Sequence, residues 1–152
     1  MPEAERTTRA SRIDPKLRAQ GWRIVPYEET TLLTACDRCA IKEFPTANGP
    51  VDYALCVGGR ILGLVEAKKL TLGPQNVLTQ AERYAKGLAE SSFNFQGLRV
   101  PFLYSTNGEI IWHHDVRHPL NRSRTIASFH TPDALTELIG RDVPAATRAL
   151  AD

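Results

Sequence analysis

Asp52, Glu66 and Lys68 put two carboxylates and an ammonium into two neighbouring apolar segments. Asp52 sits at the head of one apolar run, VDYALCV, and Glu66-Ala67-Lys68 lies in the next, ILGLVEAKKL. Gln80 and Tyr84 follow, one helical turn apart. Burying unpaired charge is costly, so packing is a poor explanation for two carboxylates and an ammonium in such strands. The same groups suit metal-assisted hydrolysis of a phosphodiester. That reaction needs a cation to polarise a phosphoryl oxygen and to lower the pKa of an attacking water. Magnesium takes carboxylate and carbonyl oxygens and keeps several waters. Asp52, Glu66 and the backbone carbonyl of Ala67 would be its protein ligands. Lys68, two residues beyond Glu66, shares its strand face and would orient the water or stabilise charge on the phosphorane oxygens. Gln80 and Tyr84 share one helix face. Gln80 would bond the water or Lys68, and Tyr84 a phosphate or a catalytic side chain.

Each residue alone has a plainer explanation. An Asp after Asn48-Gly49-Pro50 is usually a turn residue. Glu-x-Lys at a strand end is a common and weak motif. A tyrosine on an apolar helix face is more often core than catalytic. Order and context make the set specific: hairpin, acid, acid-x-lysine, then a helix with Gln-x-x-x-Tyr. The hairpin also sets a geometric condition, because residues opposite each other in an antiparallel pair share a face. If Gly58-Gly59-Arg60 is a three-residue loop, Val57 pairs with Ile61 and Asp52 lies opposite Glu66, with Cβ atoms ~5 Å apart. A two-residue loop puts Asp52 opposite Val65, on the other face from Glu66. The chemistry therefore requires the longer loop or a bulge that restores parity.

The elements that must hold these residues are those of a single mixed α/β domain over residues 1–152. With 152 residues, 42% hydrophobic and 24% charged, the chain can build one core. No run approaches the ~20 apolar residues of a membrane span, and no signal-type segment opens the chain, so a cytoplasmic protein without membrane contact is expected. The net charge of +2 says little about partners. Arg6, Arg9, Arg12, Lys16, Arg18 and Arg23 give the first 24 residues a local basic excess that could meet phosphates. Cys36 and Cys39 form a lone CxxC, and zinc would need two further ligands from His113, His114 or Cys56. Cys56 itself reads as a small buried hydrophobe. Helical composition spans 8–20, interrupted at Asp14-Pro15. Strands are expected at 22–27, 41–44, 51–57 and 61–69, and an amphipathic helix at 75–89. Two further strands, 100–105 and 109–113, flank the Asn107-Gly108 turn, and a helix runs from Thr131-Pro132-Asp133 to Ile139.

These residues also carry a resemblance. TRASRIDPKLRAQGW (8–22), VDYALCVGGRILGLVEAKK (51–69), QAERYA (80–85), PFLYSTNGEIIWHHD (101–115) and SFHTPDAL (128–135) resemble the N-terminal nuclease domain of the R (restriction, motor) subunit of type I restriction enzymes, within the PD-(D/E)xK nuclease superfamily. The resemblance implies a restriction-endonuclease-like mixed β-sheet flanked by helices, of α/β (α+β) class. It implies Asp52, Glu66 and Lys68 as the acid, acid and lysine of the superfamily motif, and Gln80 and Tyr84 as the Gln-x-x-x-Tyr element of this branch. The implied cofactor is Mg²⁺, with Mn²⁺ as a substitute, and the implied substrate is double-stranded DNA. Two positions depart: Thr7 stands where family members often have glutamate, with Glu3 and Glu5 upstream, and Val51 replaces the proline of the superfamily name. An R subunit continues into ATP-driven helicase lobes, but no Gly-x-x-x-x-Gly-Lys-Ser/Thr loop occurs here. ATP would act through lobes outside this chain, and DNA sequence recognition through modification and specificity subunits. The leading expectation is a metal-dependent DNA endonuclease domain of a type I restriction-modification system. The alternative is a non-catalytic DNA-binding or docking module that couples a helicase motor to partner subunits.

Overall fold

The computed structural model describes residues 12–67, 79–88, 91, 93–118 and 120–140. Short apolar runs cut by glycine and proline turns become seven strands: β1 (Arg23–Pro26), β2 (Cys39–Phe44), β3 (Val51–Val57), β4 (Arg60–Ala67), β5 (Phe102–Thr106), β6 (Ile111–Asp115) and β7 (Arg124–Ile126). They form one sheet in sequence order. β1–β2 and β4–β5 are parallel pairs and the other neighbours are antiparallel. Pro26 closes the edge strand β1, where a missing N–H need not break a ladder bond.

Among the described residues, three α-helices cover the sheet: α1 (Asp14–Ala19), α2 (Thr79–Lys86) on the crossover from β4 to β5, and α3 (Pro132–Gly140). Pro15 lies in the first turn of α1, so the described helix begins at the Asp-Pro step and continues through it. Helix α2 buries Ala81, Tyr84 and Ala85 against Ile41, Ala54, Leu64 and Leu103 on one sheet face. On the other face, Leu17 of α1 and Leu135 of α3 pack with Trp22, Leu55, Val65, Phe102 and Tyr104. The sheet is thus buried on both sides, which explains why its central strands read as continuous apolar runs rather than alternating ones.

Strand β2 starts two residues before its expected beginning, and β6 is shifted two residues along from 109–113. β7 was not expected from sequence. Its three residues, Arg-Thr-Ile, are a polar edge strand with no apolar alternation to announce it. The ambiguous stretch before β2 holds a 3₁₀ turn at Leu33–Ala35. Residues 8–11 of the first expected helix, Lys68 and Lys69 of the expected β4, and positions 75–78 and Ala89 of the expected helix lie outside the described residues. Among the described residues no helix is long and apolar enough to cross a membrane.

Candidate active site

The β3–β4 hairpin decides whether the two carboxylates meet. Val57 pairs with Arg60 across a two-residue turn, Gly58-Gly59, whose φ values are +59° and +80°. Both central positions are left-handed, the conformation of a type I′ turn that glycine adopts without penalty. Taken alone, this short turn would place Asp52 and Glu66 on opposite faces. The register then shifts. Cys56 pairs with Ile61, but Leu55 pairs with Gly63, leaving Leu62 as an extra residue, and Tyr53 pairs with Val65. One further step in that register sets Asp52 opposite Glu66. Of the two routes left open by the sequence, the fold uses the bulge. Gly63 fits beside it because a Cβ there would lie 3.2 Å from both Leu55 Cδ1 and Tyr104 Cε1.

Asp52 and Glu66 are both half-buried, and Oε2 of Glu66 is inaccessible to solvent. Oδ2 of Asp52 accepts a 2.8 Å hydrogen bond from the Ala67 N–H, which holds the carboxylate against the end of β4. On the other side of β4, Glu66 pairs with Ser105 and Ala67 with Thr106. Asp52, Glu66 and Ser105 therefore form one row across three strands. Ser105 Oγ is buried and has no hydrogen-bond partner among the described residues. Sequence reasoning missed it, since a serine inside an apolar strand gives no signal of its own. Glu43 stands across β3 from Asp52 by strand count, but its φ of +57° takes it out of the ladder, which steps from Lys42↔Tyr53 to Phe44↔Val51.

Helix α2 lies over this face. Gln80 is its second residue, and Tyr84 follows one turn later, 9% exposed within the apolar cluster. Lys68 lies outside the described residues. The same helix fixes the chain leading to Asp52. Its last carbonyls would otherwise be orphaned. The carbonyl of Arg83 accepts from Asn48 Nδ2 at 2.6 Å, and the carbonyl of Gly87, just beyond the helix, accepts from the Ala47 N–H at 2.8 Å. Thr46 Oγ1 donates to the Gly49 carbonyl at 2.6 Å, closing the turn. The Asn-Gly-Pro segment thus works as a clamp between α2 and the start of β3.

Two carboxylates ~5 Å apart at Cβ repel each other, and a divalent cation is a group that relieves this. Among the described residues no three His, Cys, Asp or Glu side chains converge as a metal site. The donor set is two carboxylates with backbone oxygen nearby. It suits a hard ion that keeps several waters better than the four-ligand cage of structural zinc. The zinc reading of the CxxC finds no support in the fold. Cys39 pairs with Cys56, but His113 and His114 lie on β6, three strands beyond β3. Cys56 is fully buried, and burial pushes its thiol up to about 12, which makes it an inert packing group.

Residues 23–139 match the family described as the second domain of the type I restriction enzyme EcoKI endonuclease subunit. The type I restriction enzyme EcoKI endonuclease subunit of Escherichia coli K12 is 26% identical over 178 aligned positions, covering 86% of this chain and 15% of that subunit. The chain therefore spans a small part of the curated relative it matches. The fold is shared with a fragment structure described as an HsdR subunit of a type I restriction enzyme from Vibrio vulnificus YJ016. The TM-score is 0.58 at 23% identity, over 90% of this chain and 25% of that one.

Proposed function

The chain belongs to the family of second domains of type I restriction enzyme endonuclease subunits, and on that premise we propose that it is the metal-dependent nuclease domain of a type I restriction system, cutting phosphodiester bonds of double-stranded DNA in the cytoplasm. The observation that carries this reading is the β-bulge at Leu62, which brings Asp52 opposite Glu66 despite a two-residue turn. A bulge that re-aims a side chain beside a site is a recurrent use of this irregularity.

Bound Mg²⁺, or Mn²⁺ in its place, would supply a Lewis acid for the phosphoryl oxygen and an acidified water. Asp52 and Glu66 would hold the ion from neighbouring strands, with the Ala67 carbonyl as a third protein oxygen. The Ala67 N–H fixes one oxygen of Asp52, so this carboxylate is oriented before substrate arrives. Lys68, next along the chain from Ala67, orients the attacking water and offsets charge growing on the phosphate. From α2, Gln80 would bond the water or Lys68, and Tyr84 a phosphate oxygen. ATP-driven helicase lobes and the modification and specificity subunits supply translocation and sequence recognition from outside this chain.

The test is nicking of supercoiled plasmid in Mg²⁺ or Mn²⁺ by a full subunit that contains this domain. Asp52→Asn and Glu66→Gln should each slow nicking by roughly a hundredfold or more, the scale of losing one charge-stabilising group. Equal cutting by wild type and both variants would remove the assignment.

A further inference from the structure

A second polar site lies on the opposite face of the sheet and two strands over from Glu66. It is a pocket of about 330 Å³ lined by His113, Asp115, Asn121, Arg122, Arg124 and His130. Its frame is built. His113 is 3% exposed and pairs in register with Tyr104 on β5 and Arg124 on β7. Tyr104 is fully buried, and its hydroxyl lies 2.8 Å from Nδ1 of His130. Burial raises the phenol's pKa, so it keeps its proton. Nδ1 of His130 is the hydrogen-bond partner of that hydroxyl among the described residues, which leaves Nε2 of His130 for a ligand. His113 directs Nδ1 to the Leu103 carbonyl at 3.2 Å, so that nitrogen carries the hydrogen.

The charges of the pocket are unequal. Asp115 supplies the acid, and burial alone would raise its pKa, but Arg117 binds it through Nε at 3.0 Å and Nη2 at 2.8 Å and holds it below the usual carboxylate range. The side chains of Arg122 and Arg124 line the pocket, and among the described residues neither guanidinium has a side-chain hydrogen bond or ion pair. The pocket thus presents two guanidinium groups, without a carboxylate partner among the described residues, and the His130 imidazole around one neutralised carboxylate. Guanidinium forks match the oxygens of a tetrahedral oxyanion, whereas a cation would be repelled.

We propose that this pocket binds a phosphate group, either free or as part of a nucleic-acid backbone. Asn121 lines the pocket too, but its Nδ2 already donates to the Asp115 carbonyl at 3.0 Å and so helps shape the loop rather than grip the ligand. The site is independent of the nuclease reading, because it shares no residue with the Asp52–Glu66 row.

The experiment is a titration of this chain, labelled with ¹⁵N-histidine, with inorganic phosphate at constant ionic strength. The ring nitrogens of His113 and His130 are followed by NMR, with chloride as the control anion. Saturable shifts at both rings are expected, with affinity weakened roughly tenfold or more in the double variant Arg122→Gln/Arg124→Gln. Both arginines are exposed, so folding should survive, and Arg122→Lys/Arg124→Lys should recover part of the affinity. Displacement of phosphate by a short DNA duplex, without divalent metal, would assign the site to a nucleic-acid backbone. Saturable phosphate binding that DNA does not displace would assign it to a free phosphate. Absence of saturable shifts, or equal affinity in the glutamine double variant, would overturn the proposal.

Discussion

The two faces of the sheet treat buried polar groups in opposite ways. Under α1 and α3, the carboxylates Asp14 and Asp115 each meet a cation. Asp14, 3% exposed, accepts from the Tyr53 hydroxyl and pairs with Lys42 Nζ at 2.6 Å. The indole of Trp22 donates to the His130 carbonyl at 2.8 Å, and Asp115 is held by Arg117. Under α2, two carboxylates, Asp52 and Glu66, stand opposite each other on neighbouring strands. The first arrangement stabilises a fold. The second is an arrangement that a divalent cation would stabilise.

This contrast can be broken most sharply at Lys68. Lys68→Ala and Lys68→Arg should each lower plasmid cutting roughly a hundredfold to a thousandfold, because a planar guanidinium cannot reproduce a compact ammonium beside the water. Thermal melting should stay near wild type, since a lysine head at a solvated site contributes little to the core. Near-normal cutting by Lys68→Arg would place Lys68 with the structural charges instead.

A smaller effect belongs to the other face. Burial first, then His130, lowers the pKa of His113 to about 4 from 6.5. Above 6.5 both the folded and unfolded forms are neutral, and nothing is lost. As pH falls from 6.5 toward 4 the unfolded chain binds a proton that the folded chain refuses. Stability therefore drops on acidification, by roughly 3 kcal/mol at the limit. Urea titrations across that window should show the loss, and His113→Gln should remove most of the slope. A flat profile in the wild type would contradict it.

Lys42→Met comes next. It leaves Asp14 buried without its cation, and removing one partner of a buried pair costs ~3–5 kcal/mol. Lys42 is 31% exposed, so solvent offsets part of this, and about 2 kcal/mol is expected in urea unfolding. Cutting per folded molecule should not change. A matching loss of cutting would merge the two faces into one functional unit. The smallest effect is at Ser105. Removing a buried hydroxyl that lacks a partner should leave stability unchanged or raise it by about 1 kcal/mol in Ser105→Ala, while cutting slows several-fold if the hydroxyl serves the row beside Glu66. Unchanged cutting would exclude Ser105 from the site.

The two faces also differ in how far they could be read from the sequence. The α2 face was legible because its residues recur in a short linear order: acid, hairpin, acid-x-lysine, helix. The strands expected at 51–57 and 61–69, the second as far as Ala67 where the described part ends, the Asn-Gly turn before β6 and the Pro132 start of α3 followed from local chemistry in the same way. The Leu62 bulge could be named only as one of two solutions, because a bulge depends on how β5 and Gly63 pack and has no residue signature. The polar clusters of the other face were invisible. Asp14, Lys42 and Tyr53 are far apart in the chain, as are Tyr104, His113 and His130, and only the sheet brings them together. β7 escaped for a related reason: an edge strand held by backbone pairing needs no apolar alternation.

If the bulge makes Asp52 and Glu66 a single cation site, an ion must sit between them. The most direct test is a crystal structure of this chain soaked in Mn²⁺, read from the anomalous scattering of the ion. The account predicts a peak between the two carboxylates at ~2.0–2.4 Å from an oxygen of each, lost in Asp52→Asn. A saturated crystal with the ion elsewhere, or on one carboxylate alone and unaffected by Asp52→Asn, would contradict it.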